Sequence, residues 1–153
     1  MRHHSPIEDL VTSRRRLALD IALVAVAYFA AAKLGLLLSF VKGNVTPVYP
    51  AAGVAVAALV LGGRRLWLGV LLGALAAHLT TDVSAVTAVV MSVGNTIAAL
   101  TAVTVLRSLG FRPDLGDVRN AVLFVGAGVV LPAALAATSG VTTLWASGDL
   151  TGA

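Results

Sequence analysis

Lys33, Asn44, Tyr49, His78 and Asn95 are the side chains here whose types could bind or exchange something, and each is set in nearly pure hydrocarbon. A lysine at such depth is either a snorkelling interface residue or a charge turned toward a protein interior, and the sequence leaves both open. An asparagine among apolar residues is costly unless its amide bonds across to another segment. Tyr49 stands in the stretch Gly43-Asn44-Val45-Thr46-Pro47-Val48-Tyr49-Pro50-Ala51-Ala52-Gly53, which cannot be regular helix throughout. At membrane depth such backbone is tolerated only where protein or a water-filled cavity satisfies it. Asn44, Pro47, Tyr49, Pro50 and Gly53 therefore join Lys33, His78 and Asn95 as candidate ligand-contacting residues.

The same inventory argues against catalysis. The apolar segments hold neither a nucleophile–base pair nor a carboxylate pair. There are no cysteines, which removes disulfides, thiolate metal sites and Cys nucleophiles. His3 and His4 are adjacent, poor geometry for two ligands on one metal. No metal and no cofactor is expected. Asn44-Val45-Thr46 has the form of a glycosylation acceptor, but Pro47 follows it and the match reads as accidental.

The elements that hold these residues are set by composition. Of 153 residues 58% are hydrophobic and 12% charged, with a mean hydropathy of +0.94. The charged share is about half that of soluble domains, so lipid is the expected solvent for much of the surface. Ala, Val, Leu and Gly carry the hydrophobicity, and small residues suit close helix packing in a bilayer. The expected fold is an all-α integral membrane domain of about five transmembrane helices. After a polar tail at residues 1–16, spans are expected at about 17–41, 47–62, 66–81, 84–106 and 120–145, with residues 148–153 as a second tail.

Details follow from local chemistry. The first run, about 25 residues, gives roughly 37 Å of helix, enough to cross with some tilt. Its length past Ala30-Ala31-Ala32 argues against a cleaved signal peptide. Residues 7–11 suit a short surface helix, and Asp20 falls in the first turn of a helix starting near Leu17, where the dipole favours an acid. Pro47 and Pro50 suit the start of the second span. Gly69 and Gly73 form a GxxxG pair for close packing, and Trp67 suits an interfacial anchor. Asp82 or Ser84 can cap the fourth span, and Pro132 is expected to kink the fifth.

Charge fixes the expected orientation. With five spans, all nine arginines (2, 14, 15, 16, 64, 65, 107, 112 and 119) fall on one side, facing Lys42, Asp82 and Asp149 on the other. The positive-inside rule makes the arginine side cytoplasmic, with the N-terminus inside and the C-terminus outside. Nucleic acid is excluded as a partner, because the arginines are spread over short loops with no aromatic interleaving. Lys33, residues 44–49, His78 and the hydroxyls Thr138, Ser139 and Thr142 then lie in the outer half, with Asn95 near the middle. An outer polar cluster above an apolar floor fits a receiver; a channel needs polar groups through the full depth.

At these residues the sequence resembles a known family. Ala32-Lys33-Leu34-Gly35-Leu36, then residues 43–55, then Leu61-Gly62-Gly63-Arg64-Arg65-Leu66-Trp67 resemble the first MASE family of bacterial membrane-associated sensor domains. Gly94-Asn95-Thr96, Leu106-Arg107 with Gly110-Phe111-Arg112, and Gly140-Val141-Thr142-Thr143-Leu144-Trp145 continue the match in order. The resemblance covers roughly residues 28–147 and is most specific in the proline–glycine stretch. It implies a multi-pass domain of the bacterial inner membrane that feeds a cytoplasmic histidine kinase or a cyclic-di-nucleotide output domain. Departures are Tyr49 where the family favours Trp, Ala51 where it favours Pro, His78 where it favours Asn, and Ala98 where it favours an acid that would pair with Lys33. The family module has about eight spans, so this chain reads as a fragment or a truncated relative.

The functional expectation is a non-catalytic sensory input module taking an unidentified small ligand, packed in the lipid bilayer against further transmembrane helices or as a homodimer. A small transport component or half-transporter is the alternative, since prolines and glycines interrupting short spans mark transporter sites. Against it stand the missing internal repeat and the apolar inner halves.

Overall fold

The computed structural model describes residues 6–37, 49–112 and 117–147, and these are helical with no strands among them. Asn44 and Pro47 lie outside the described residues. Helix α1 runs Pro6–Leu37, α2 Pro50–Leu61 and α3 Trp67–His78, with a 3₁₀ turn at Arg64–Leu66 between the latter two. Helix α4 is Ala85–Ser108. A final helix begins as α5 (Val118–Leu123), passes through a π-helical stretch (Phe124–Val130) and continues without a break as α6 (Leu131–Ser147).

Three stretches are long and apolar enough to cross a membrane: Ser13–Leu37, Ala85–Ser108 and Val118–Thr143. Helices α2 and α3 have 12 residues each, about 18 Å at the usual rise and short of a ~30 Å hydrocarbon core. The apolar stretches present much of their surface outward, as Leu19 and Leu23 do at 69% exposure each. In water such patches would drive association; against acyl chains they match the solvent.

Small residues set the packing. A Cβ built on Gly69 would lie 2.7 Å from the Ile21 carbonyl oxygen, and one on Gly73 would lie 2.6 Å from that of Ala25. Both glycines are needed for this approach of α3 to α1, and the register, rising along both helices, makes the two parallel. Gly94 admits Ser139, whose Oγ would sit 2.8 Å from a Cβ there, and Gly140 lies against Met91, so α4 and α6 run antiparallel. Alanines 51, 55, 74, 98, 99 and 102 are buried between the helices.

Helix ends follow the sequence chemistry. Pro50 opens α2, where its missing N–H costs nothing. Ser84 caps α4, accepting from the Thr87 N–H at 3.1 Å. On the arginine-bearing side, basic groups donate to carbonyls at or just past helix C-termini: Arg107 Nη2 to Leu59 O at 3.4 Å, Arg65 Nε to Gly62 O at 3.3 Å and Arg119 Nη2 to Leu109 O at 2.9 Å.

The structure corrects two local readings. Helix α1 starts at Pro6, so the stretch around Ile7 is the beginning of the long helix and Asp20 lies well past its first turn. The helix runs on through Arg14-Arg15-Arg16 because nothing there breaks it: no proline or glycine stands between Pro6 and Gly35. Near Pro132 the helix widens before the proline. The Leu131 N–H donates to Gly126 O, five residues back. A wider turn is one way to accommodate the proline's missing N–H and its ring against the preceding turn.

Candidate functional site

Four helices bring polar side chains to one level. Tyr28 on α1 is buried, with 1% of its surface exposed. Its Oη lies 3.3 Å from the Tyr49 Oη at the start of α2, and the two rings meet edge to face at 6.4 Å between centroids. From α4, Asn95 Nδ2 donates to Tyr28 Oη at 3.4 Å and lies 3.2 Å from His78 Nε2 at the end of α3. With the amide N–H donating, His78 Nε2 accepts and the ring proton sits on Nδ1. The network Tyr49–Tyr28–Asn95–His78 thus ties the first four helices together.

Placement follows from the sequence. Gly73 lets α3 lie close against Tyr28: a Cβ there would stand 2.8 Å from the Tyr28 Cβ. Asn95 stands one residue after Gly94, the point of close approach to α6. His78 is the last residue of α3, where the chain turns with Thr80 Oγ1 accepted by Ala77 O at 2.6 Å and Thr81 Oγ1 by His78 O at 2.7 Å.

Beside the network lies a cavity of about 650 Å³ between α1, α2, α3, α4 and the last helix. Tyr49, His78, Asn95 and Thr81 are the polar side chains in its lining, which also includes Pro50 and Gly53. The rest is small and apolar: Ala32, Leu36, Ala133, Ala136, Ala137 and Gly140 among others. No Asp, Glu, Lys or Arg lines it among the described residues. A second space of about 10 Å³, near the limit for one water, adjoins Tyr28, Asn95 and Pro132.

Of the sequence-predicted residues described, Tyr49, Pro50, Gly53, His78 and Asn95 share this cavity. Lys33 does not. Its Nζ donates to Thr80 O at 3.4 Å and stands 5.8 Å from the Phe29 ring centroid, so it holds the turn that follows α3. A cation there also complements the helix dipole. The hydroxyls near the end of α6 turn inward on their own helix: Thr138 to Ala134 O, Ser139 to Ala136 O and Thr143 to Ser139 O. Tyr28 is the residue the sequence reading missed. The available signal was a phenol in the middle of an apolar run, which needs a partner wherever it is buried.

Among the described residues the arrangement brings together two phenols, an amide and an imidazole. No group of three or more His, Cys, Asp or Glu able to hold a metal occurs among the described residues. What it offers is an apolar chamber with a few neutral hydrogen-bonding groups in its lining, the composition of a binding site.

A helical bundle with three apolar stretches long enough to cross a bilayer defines a membrane protein. The MASE1 family profile matches residues 21–153, most of the chain, and the chain belongs to that family. MASE1 domains are membrane-associated sensor domains. No curated protein matches the chain, and no solved structure does.

Proposed function

We propose that this chain is the signal-input module of a bacterial signal-transduction protein, without catalysis of its own, and that the cavity beside Tyr49, His78 and Asn95 receives the signal. The observation that carries this reading is the joining of network and cavity: three of the four network residues line the chamber. An occupant that touches them competes for bonds that hold α1, α2, α3 and α4 in register. Binding then shifts the bundle only as far as the occupant's affinity differs between two arrangements.

In this reading the protein crosses the inner membrane several times, with the arginine-rich turns in the cytoplasm and the cavity nearer the outer face. Helices α2 and α3 are each shorter than a span. The output is a histidine kinase or a cyclic-di-nucleotide enzyme on the cytoplasmic side. The chain has no cysteines, so single introduced ones report orientation cleanly. Cysteine at Asp82 reacts with an impermeant maleimide from outside the cell, and cysteine at Arg64 does not.

The functional test is made in the host cell. His78→Leu and Asn95→Leu are placed at the chromosomal locus, and cyclic-di-nucleotide level and kinase phosphorylation are compared with wild type and with a deletion. The expected result is altered output at unchanged membrane abundance. Output identical in all four strains overturns the proposal.

A further inference from the structure

Resting on the reading of this cavity as the sensing site, we propose that its ligand is a neutral amphiphile. The head is uncharged and both donates and accepts a hydrogen bond; the body is apolar; the route of access is the bilayer itself.

The head follows from what the network leaves unused. Asn95 Nδ2 serves both Tyr28 and His78, so the amide oxygen has no partner among the described residues. His78 Nε2 is taken up by Asn95, and its Nδ1 likewise has none. No side-chain nitrogen or oxygen among the described residues is both buried and unpartnered, so these two atoms are accessible. Both residues line the cavity. The two lining residues therefore offer one acceptor and one donor. Turning the amide over exchanges the two roles and keeps one of each. A hydroxyl or a primary carboxamide satisfies such a pair.

The described wall offers a charged head no counter-charge. With no Asp, Glu, Lys or Arg in the lining among the described residues, an anionic or cationic head would be desolvated without a counter-charge. The described lining thus favours an uncharged head over nucleotides, phosphates, free amino acids and fatty-acid anions. The body follows from the alanines, glycines and valines of the remaining lining, and about 650 Å³ is ample for a drug-sized molecule. The route follows from the last helix. Val129 and Val141 line the cavity and are 48% and 58% exposed, and both lie in the membrane-length stretch Val118–Thr143. In this proposal the exposed side opens to acyl chains, where an amphiphile is already concentrated.

The test uses the whole chain in lipid discs at neutral pH with photoreactive decyl compounds differing only in the head: alcohol, carboxylate, ammonium and plain alkane. Adducts are mapped by mass spectrometry. The alcohol is expected to label cavity residues of α4 and α6 about tenfold more than the carboxylate or ammonium. Ala137→Trp, at an exposed lining position, abolishes that labelling. His78→Leu cuts the alcohol's advantage over the alkane about three- to tenfold, the worth of one hydrogen bond. Thr138→Val, outside the cavity lining and bonded only within its own helix, preserves the preference for the alcohol over both ions and serves as the folded control. Equal or stronger labelling by either ion overturns the ligand class while leaving the sensing site standing. Absence of cavity labelling by every compound in folded protein overturns both.

Discussion

Asn95 and Tyr28 offer the sharpest energetic test of the network. Asn95→Leu removes two interhelical hydrogen bonds, to Tyr28 at 3.4 Å and to His78 at 3.2 Å. Interhelical bonds in membranes average about 0.6 kcal/mol, and these are long, so about 1 kcal/mol is lost for the pair. Leucine is also more soluble in lipid than asparagine, which offsets part of that loss in the single variant. Tyr28→Phe keeps the buried ring and removes the hydroxyl that meets both Asn95 and Tyr49. The two changes combined form a double-mutant cycle in which the leucine transfer term cancels and the pair energy remains. The expected coupling between positions 28 and 95 is about 0.5 kcal/mol, favourable. Steric-trap unfolding in bicelles resolves a difference of that size. A coupling indistinguishable from zero, with both single variants folded, refutes the claim that this bond joins α1 to α4.

Other substitutions separate packing from binding. Gly73→Val forces a Cβ to 2.6 Å from the Ala25 oxygen and should cost about 1–3 kcal/mol in the same unfolding assay. Gly53→Ala places its Cβ against nothing within 4 Å and should stabilise α2 by about 0.5–1 kcal/mol. Thr138→Val should change stability by no more than about 0.5 kcal/mol, because that exposed hydroxyl bonds only its own helix. Lys33→Met should cost about 1 kcal/mol or less, through the bond to Thr80 O and the contact with the Phe29 ring, and should leave decyl-alcohol labelling of the cavity unchanged.

How much of this was legible in the sequence differs by residue. The all-helical, membrane-embedded character follows from apolar runs too long for a soluble core. The family follows from the proline–glycine stretch and the motifs after it. Close packing at Gly69 and Gly73 could be read from their spacing, although the partner helix could not: GxxxG marks a face without naming what meets it. Asn95 and His78 stood out as polar groups in apolar surroundings, yet nothing in their positions, 17 residues apart, shows that they meet across α3 and α4. That depends on where α3 ends and how α4 turns back. Tyr28 was hidden because aromatic residues in apolar runs are ordinary, and its importance depends on four helices converging. Lys33 was ambiguous in sequence because its length lets it reach in several directions; the structure sends it to the Thr80 carbonyl. The π-helical stretch at Phe124–Val130 was not foreseeable from Pro132 alone, since a proline dictates that a turn must adjust and leaves open whether it bends or widens.

If the cavity receives the signal, its occupation changes how the helices sit. Spin labels at cysteines replacing Leu34 on α1 and Val86 on α4, both exposed, are the only thiol-borne probes in a chain without native cysteines. Pulsed dipolar distances are recorded in lipid discs with and without saturating 1-decanol, and again in Ala137→Trp. Two distance populations are expected, their ratio changing about tenfold with decanol in the parent chain, a difference of about 1.4 kcal/mol, with no response to decanol in the variant. A single distribution that stays the same while decanol is bound in the cavity contradicts that expectation.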